Sequence, residues 1–306
     1  MPRGSTSPAR ERTSYMTGVS DVAASLRATY DTGRTRPLEW RLKQLHAIQR
    51  MLQENRSAWV DAVQQSCMRP RAECELAEMI VLQQEIDSMI ANVAKWSQPD
   101  DVATPIALMP ASSRIEKQPF GATLVIAPCN YPVGLAIGPM VGAVAAGNTV
   151  LLKPSELCPE VCELFETLVK SYLDGDAIQV VTGGKEVVSS LLEQQWDHII
   201  FTGSERVGRI VAAAAAKHLT PTTLELGGKC PVFVDDCSEP LSSVAAKILF
   251  GRLLAGGQSC VAPEYVLASK PVVDTLAREL VTLIAKVRNL PYLPGSPPFT
   301  SFLVLL

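Results

Sequence analysis

Histidine is scarce in this chain, and the signatures of several classes of protein are missing. Three histidines stand far apart at His46, His198 and His218, and the eight cysteines form no C-x-x-C pair, so we expect no metal site. The cysteines also lack the spacing of a small disulfide-rich domain, which indicates reduced thiols in a reducing compartment. The net charge of −3 gives no reason to expect nucleic acid as a partner.

A membrane span and a secretory signal are missing as well. The most apolar run, at 131–147, is short for a bilayer and carries Pro139 in its middle. Because predicted strands flank it, we interpret this run as a buried helix of a soluble, cytoplasmic protein. Residues 1–18 mix arginines with Ser, Thr, Pro and Gly and show no apolar helical face, which favours a disordered tail over a transit peptide.

What the chain does have is an apolar composition with clear periodicity. Hydrophobic residues make up 47% of it and charged residues 19%, which predicts a folded chain with a well-buried core. Between 19 and 97, apolar residues that include Leu76 and Ile80 recur at helical spacing and predict core-facing stripes. From 121 to 228, four β–α units predict an α/β fold with a Rossmann-like, doubly wound parallel sheet.

Two segments near the C-terminal end of this pattern carry candidate catalytic groups. Cys260 follows two glycines in AGGQSCVAPEYV and is either a nucleophile on an accessible loop or a small buried apolar residue. Glu225 lies in TLELGGKCPVFV, where we expect partial desolvation to raise its pKa and suit it to be a general base. The two predict covalent catalysis if the fold brings them together.

Ligands of doubly wound sheets bind beyond the carboxyl ends of the strands, where this sequence places further polar residues. Asn130 leaves the first strand and is either a turn residue or an amide donor to a ligand oxyanion. Lys153 and Glu156 leave the second strand. Either they face ribose hydroxyls, or Ser155 caps the next helix and Lys153 is solvated.

The segment FTGSERVG, at 201–208, is a strand-to-helix turn flanked by glycines. The N-terminus of a helix offers free N–H groups and the positive end of a dipole, which suit a phosphate. The segment matches neither G-x-G-x-x-G nor a Walker loop, so a plain turn with Ser204 as the N-cap is an equally open interpretation.

In this order, four segments closely resemble the aldehyde dehydrogenase superfamily, and APEYV after the cysteine is most similar to its class 3, fatty-aldehyde branch. They are APCNYPVGLAIGPMVGAVAAGNTVLLKPSE, FTGSERVG, LELGGK and GQSCVAPEYV. The resemblance implies a helical region plus dinucleotide-binding domain at 19–222 and the start of a catalytic domain at 223–288. The tail at 289–306 has four prolines and no family-like pattern.

The resemblance implies oxidation of an aldehyde, long-chain or otherwise apolar, to a carboxylic acid with NAD, or NADP, as cofactor. Cys260 matches the nucleophile that forms a thiohemiacetal and then a thioester. Asn130, with the backbone N–H of Cys260, matches the oxyanion hole, and Glu225 matches the base that activates water for hydrolysis. Sulfur supplies the covalent step and the nicotinamide the electron sink, so no metal is needed.

The same match assigns the residues around the cofactor. Lys153 and Glu156 match residues at the adenosine ribose, and Glu156 favours NAD because a carboxylate disfavours a 2′-phosphate. The turn beneath the dinucleotide phosphates is matched by Gly203, Ser204, Val207 and Gly208. The intact family forms homodimers, and some class 3 relatives attach to membranes through a C-terminal anchor.

Three departures from the family pattern bear on activity. Cys129 replaces the usual Trp, which we expect to loosen the placement of Asn130, and Glu205 adds negative charge where a phosphate docks. The chain ends 46 residues after Cys260 (306 − 260 = 46), which predicts an incomplete catalytic domain with uncovered apolar strand faces. A catalytically inactive, dinucleotide-binding fragment is therefore the alternative function.

Overall fold

The computed structural model of this protein describes residues 8–235 and 238–288, with the side chains of 18–235 and 238–287. The predictions for residues 1–7 and for the tail at 289–306 lie outside the described residues. None of the described helices is both long and apolar enough to cross a membrane.

Helices make up most of the described chain from Pro8 to Trp96, and the periodicity predicts them from residue 19. They are α1 (Pro8–Asp31), α2 (Leu38–Glu54), α3 (Arg56–Cys67), α4 (Arg71–Cys74) and α5 (Val81–Trp96). A π-helix at Glu75–Ile80 joins α4 to α5. The wider turn of a π-helix shifts the buried face, so Leu76 and Ile80 are 51% and 41% exposed, whereas Glu78 is buried. The prediction that Leu76 and Ile80 face the core was wrong for this reason.

Helix α1 begins within the region that we expected to be a disordered tail at residues 1–18. Val19, Ala23 and Leu26 are buried and hold the helix against the sheet and its neighbouring helix. Once that segment is fixed, each preceding residue adds a helical hydrogen bond without a new nucleation cost. The expectation of disorder therefore does not hold from Pro8 onward.

A five-stranded parallel sheet forms the centre of the fold and confirms the predicted doubly wound α/β class. Its strands are β3 (Ala122–Ile126), β4 (Thr149–Lys153), β5 (Ile178–Val180), β6 (His198–Gly203) and β7 (Thr222–Leu226), in the order β5-β4-β3-β6-β7. Its connecting helices are α6 (Gly134–Ala146), α7 (Pro159–Tyr172), α8 (Lys185–Leu192) and α9 (Glu205–Ala216). The strand order reverses between β3 and β6, which marks the edge where such sheets bind ligands.

The core lies on both faces of this sheet. Every residue of β3 and β4 is buried, because helices cover both sides of the central strands. Helix α6 is the apolar run at 131–147, and its burial confirms the interpretation of that run as a core helix. A short antiparallel pair, β1 (Asp100–Val102) and β2 (Ser113–Ile115), precedes the sheet.

A smaller unit follows the sheet along the chain. Strands β8 (Cys230–Val234) and β9 (Pro263–Ala268) pair in parallel, with α10 (Leu241–Leu253) and α11 (Lys270–Arg288) on one face. The other face carries Phe233, Tyr265 and Leu267, which are 75%, 45% and 47% exposed. This observation matches the expected uncovered apolar strand face.

Candidate active site

Two loops that are far apart in sequence meet at the carboxyl edge of the sheet. We call residues 127–133, between β3 and α6, the asparagine loop, and residues 254–262, between α10 and β9, the cysteine loop. The side-chain Nδ2 of Asn130 donates a hydrogen bond to the carbonyl oxygen of Gln258 at 2.8 Å. The fold therefore brings Asn130 to the loop that carries Cys260.

Cys260 is exposed, so the interpretation of this residue as a buried apolar side chain was wrong. Its carbonyl oxygen accepts a hydrogen bond from the thiol of Cys230 at 3.2 Å. Upstream, Ala255, Gly256 and Gly257 all have positive φ, at 52°, 62° and 80°. Glycine adopts this conformation readily, and the two glycines let the chain turn sharply before the cysteine.

Glu225 is exposed, which contradicts the expectation that its carboxylate is partly desolvated. Strand β7 is an edge strand, and its alternating side chains place Leu224 and Leu226 against the core while Glu225 points away. The apolar strand pattern predicts that the two leucines face the core, but it does not predict the exposure of Glu225 between them. The structure records no direct contact between Glu225 and Cys260.

The asparagine loop rests on a buried carboxylate that the sequence did not single out. Glu78 accepts hydrogen bonds from the backbone N–H groups of Val133 at 2.8 Å and Gly134 at 2.9 Å. Burial raises the pKa of Glu78, while these hydrogen bonds and the charge of Arg69 oppose that rise. Negative charge at this place also complements the N-terminal end of the α6 dipole.

The cysteine loop rests on a second carboxylate, which sequence reasoning also missed. Glu73 accepts a hydrogen bond from the backbone N–H of Ala255 at 2.8 Å. Arg69 lies between the two carboxylates, with its Nη1 at 3.3 Å from Glu78 and its Nε at 3.9 Å from Glu73. The only signal in the sequence is an arginine in the short connection before α4 and two glutamates among the apolar residues that follow, and this pattern gives no partner for any of them.

Two thiols contact the backbone of Cys129, the residue before Asn130. Cys67 and Cys158 lie 3.9 Å apart, and each has its sulfur 3.7 Å from the carbonyl oxygen of Cys129. The hydrogen bond with Cys158 lowers the pKa of Cys67, and the same hydrogen bond raises the pKa of Cys158. Two thiol contacts therefore hold the Cys129 backbone, and the looser placement of Asn130 stays a prediction.

Lys153 and Glu156 form an ion pair at the end of β4. The Lys153 side chain is only 2% exposed, so the alternative of a solvated lysine was wrong. Ser155 does not cap α7 either, because the N-cap position belongs to Cys158. Partial burial acts to raise the pKa of Glu156, but the hydrogen bond from Lys153 and their opposite charges outweigh it, and the pKa is lowered.

The turn after β6 has the capped geometry of a regular strand-to-helix connection. Ser204 is the N-cap of α9, and its Oγ accepts from the N–H of Val207 at 3.4 Å. A Cβ on Gly203 would lie 2.6 Å from the Phe201 ring, and one on Gly208 would lie 2.8 Å from a methyl group of Leu226. Both glycines are therefore needed for close packing at this turn.

Glu205, in the first turn of α9, does not present an isolated negative charge. Its Oε1 lies 2.5 Å from Nη2 of Arg209, one helical turn along. This exposed pair offsets part of the repulsion that we expected for a docked phosphate. The described residues contain no group of three His, Cys, Asp or Glu side chains that could hold a metal ion.

The strand order explains why these residues lie at one edge of the sheet. β4, β3 and β6 are adjacent in the sheet, so Lys153, Asn130 and Gly203 follow three neighbouring strands at the same edge. The switch point between β3 and β6 lies among them, where a dinucleotide fits this class of sheet. An ammonium, a carboxylate and a helix N-terminus suit its ribose and phosphate groups.

Comparison with known proteins agrees with this geometry. The family model described as the aldehyde dehydrogenase family matches residues 12–292. Aldehyde dehydrogenase family 3 member B2 of Mus musculus is 44% identical over 86% of this chain and 54% of its own length. Family 3 member B1 of Homo sapiens is 42% identical over 89% of this chain and 58% of its own. The Mus musculus protein named "Aldehyde dehydrogenase, dimeric NADP-preferring" is 40% identical over 87% and 58%.

Solved structures show the same fold. The substrate-bound state of Staphylococcus aureus AldH has a TM-score of 0.81 and 31% identity, with 94% of this chain and 60% of that chain covered. Mycobacterium tuberculosis aldehyde dehydrogenase complexed with NAD⁺ has a TM-score of 0.79 and 25% identity, with 87% and 56% covered. The chain spans about half the length of the curated relatives that it matches. It belongs to the aldehyde dehydrogenase family.

Proposed function

We propose that this chain oxidises an aldehyde to a carboxylic acid, with Cys260 as the covalent nucleophile and NAD(P) as the hydride acceptor. The observation that carries the proposal is the contact between the asparagine loop and the cysteine loop at the switch point of the sheet. It places an exposed thiol and an amide donor on adjoining loops. These are the two groups that acyl chemistry at a cysteine requires.

The chain's own residues divide the reaction into two stages. The Cys260 thiolate attacks the aldehyde carbonyl and forms a carbon–sulfur bond. The amide of Asn130 and the backbone N–H of Cys260 then stabilise the resulting oxyanion of the thiohemiacetal. The nicotinamide of a bound NAD(P) supplies the acceptor for the hydride, and the acyl group stays on sulfur as a thioester.

Hydrolysis of the thioester is the second stage. Glu225 takes a proton from water, the resulting hydroxide adds to the thioester carbonyl, and the carbon–sulfur bond breaks to release the acid and the thiolate. Because Glu225 is exposed, water reaches it directly. Its place five residues before Cys230, which contacts Cys260, supports this role.

For the cofactor, we assign the ribose to Lys153 and Glu156 and the phosphates to the turn formed by Gly203, Ser204, Val207 and Gly208. The lowered pKa of Glu156 keeps it ionised, which favours NAD over NADP because a 2′-phosphate would meet a negative charge. The name of the Mus musculus relative states a preference for NADP, so we propose a different cofactor preference for the present chain.

The aldehyde that we propose is long-chain or otherwise apolar, in line with the resemblance to the fatty-aldehyde branch. The free thiols of the seven described cysteines are compatible with a cytoplasmic protein. A homodimer is the assembly that we propose, since the same relative is named dimeric.

The test is NADH formation by the purified chain with NAD and a medium-chain aldehyde. We expect turnover in the unmodified protein and none in Cys260→Ala, because the covalent step needs the sulfur. Val261→Ala is the matched control, since Val261 is the next residue and is 74% exposed. A folded sample that binds NAD without forming NADH would contradict the proposal and favour the inactive, dinucleotide-binding alternative.

A further inference from the structure

The cysteine loop is held in a conformation that its sequence alone does not favour. Ala255 has φ 52° and ψ 32°, which lies in the left-handed region that a side chain with a Cβ disfavours. The residue is only 1% exposed, and its N–H donates to the carboxylate of Glu73 at 2.8 Å. A strained backbone of this kind persists where its surroundings fix it, and Glu73 is one of the groups that do so here.

Glu73 belongs to a charged cluster that also reaches the asparagine loop. The guanidinium of Arg69 contacts both Glu73 and Glu78 and lies 5.0 Å from the centre of the Tyr131 ring. The side chains of Arg69 and Glu78 are 2% and 0% exposed, so solvent screens their interaction weakly. Glu78 in turn accepts from the backbone N–H groups at the end of the asparagine loop.

One cluster therefore contacts both loops of the candidate active site. Glu73 bonds to the cysteine loop, Glu78 bonds to the asparagine loop, and Arg69 joins the two carboxylates. The six-residue π-helix that carries Glu78 sets the relative direction of the two glutamates. Local π-helical turns often occur at functional sites.

We propose that Glu73 is a positioning residue, held by Arg69, which itself pairs with Glu78, and that it fixes the cysteine loop in place against the asparagine loop. The effect on turnover rests on the proposed function, whereas the effect on the loop does not. Glu73 acts through the backbone of Ala255 and touches neither substrate nor cofactor in this scheme. What matters is an acceptor oxygen at the length of a glutamate side chain.

Three substitutions of Glu73 distinguish the effect of the acceptor oxygen from the effect of the negative charge. Glu73→Gln keeps an acceptor oxygen at the same reach and loses the charge, whereas Glu73→Asp keeps the charge and shortens the side chain. Glu73→Ala removes both. Glu75→Ala is the matched control, because Glu75 lies two residues away and pairs with Arg56 at 2.6 Å instead of contacting the cysteine loop.

The first readout is hydrogen exchange of peptides covering residues 250–262, measured by mass spectrometry. We expect the Ala255 amide to exchange about tenfold faster in Glu73→Ala and Glu73→Asp, because it loses its acceptor. Glu73→Gln and Glu75→Ala should exchange like the unmodified chain. If Glu73→Ala does not fold, comparing the exchange rates of Glu73→Asp and Glu73→Gln still shows whether the acceptor oxygen holds the loop.

The second readout is the steady-state rate of NADH formation. We expect kcat to fall about tenfold in Glu73→Ala and Glu73→Asp with the KM for NAD unchanged, and Glu73→Gln to restore it. Unchanged exchange in both Ala and Asp variants would overturn the proposal, as would equal loss of kcat in Gln and Asp. An unmodified chain without turnover would contradict the proposed function alone, and the exchange data would still test the loop.

Discussion

At the scale of single residues, Lys153 shows how a buried charge can hold a carboxylate at the proposed cofactor end of the site. A lysine that is 2% exposed is rare in proteins unless its ammonium has a partner, and here that partner is Glu156. Glu156 itself remains 45% exposed. The pair therefore anchors a carboxylate at a fixed place while leaving it accessible to a ligand.

This arrangement predicts the effect of neutralising the carboxylate. In Glu156→Gln we expect the ratio of kcat/KM for NADP to that for NAD to rise about fivefold, because the 2′-phosphate no longer meets a negative charge. Steady-state kinetics with both cofactors measures the ratio. Glu160→Gln is the control that should leave the ratio unchanged, because Glu160 lies in α7 and accepts a hydrogen bond from Ser66 of α3. An identical ratio in Glu156→Gln would remove Glu156 from cofactor choice.

At the scale of elements, β6 connects the site to the stability of the sheet. Its last residue, Gly203, begins the turn that leads into α9. Asp197, the residue that precedes the strand, accepts hydrogen bonds from Arg27 of α1 at 2.7 Å and from the N–H of Ala122 at 2.8 Å. At its first residue, the His198 ring stacks on Phe120 with 4.7 Å between centroids and lies 3.0 Å from the hydroxyl of Thr223. One strand thus carries both structural and candidate functional contacts.

The burial of His198 predicts a dependence of stability on pH. Burial lowers its pKa below the value of about 6.5 expected in the unfolded chain. As pH falls from about 7 to about 5, the unfolded chain binds a proton that the folded chain resists, so the free energy of unfolding decreases. Chemical denaturation of the unmodified chain and of His198→Gln measures this. We expect a steeper loss in the unmodified chain, and parallel curves would contradict the assignment.

At the scale of the whole molecule, the apolar face of the β8–β9 pair is an uncovered surface of the described residues that bears on association. Phe233, Tyr265 and Leu267 lie on it, opposite the face that packs on α10 and α11. Adjacent exposed apolar side chains favour self-association, because contact between two such faces removes apolar area from water. The cysteine loop and this surface belong to the same small unit.

Removing the most exposed of these side chains tests whether this face drives association. In Phe233→Ser we expect weaker concentration-dependent association and an unfolding temperature close to that of the unmodified chain, since the side chain is 75% exposed. Sedimentation velocity over a range of concentrations gives the association. Val281→Ser, at a position on α11 that is 68% exposed, is the matched control. Equal association in Phe233→Ser and the unmodified chain would show that this face is not responsible.

How well the sequence predicts each feature depends on the range of the interactions that form it. Periodicity placed α6 and the parallel strands, because side-chain burial repeats every 3.6 residues in helices and every two in strands. It failed at Leu76 and Ile80, where a π-helix changes the period, and at the start of α1, where packing extends a helix that its own sequence does not favour. Each failure has a cause outside the local window.

The sequence by itself determined the parallel α/β sheet, the family, and the order of candidate site residues along the chain, since these depend on local patterns and short motifs. Only the tertiary structure decided that Asn130 meets the cysteine loop, that Glu225 is exposed on an edge strand, and that Glu73 reaches Ala255. Those facts depend on contacts between segments more than a hundred residues apart, or on which strand lies at the edge. Their physical basis is three-dimensional packing, which no single stretch of sequence contains.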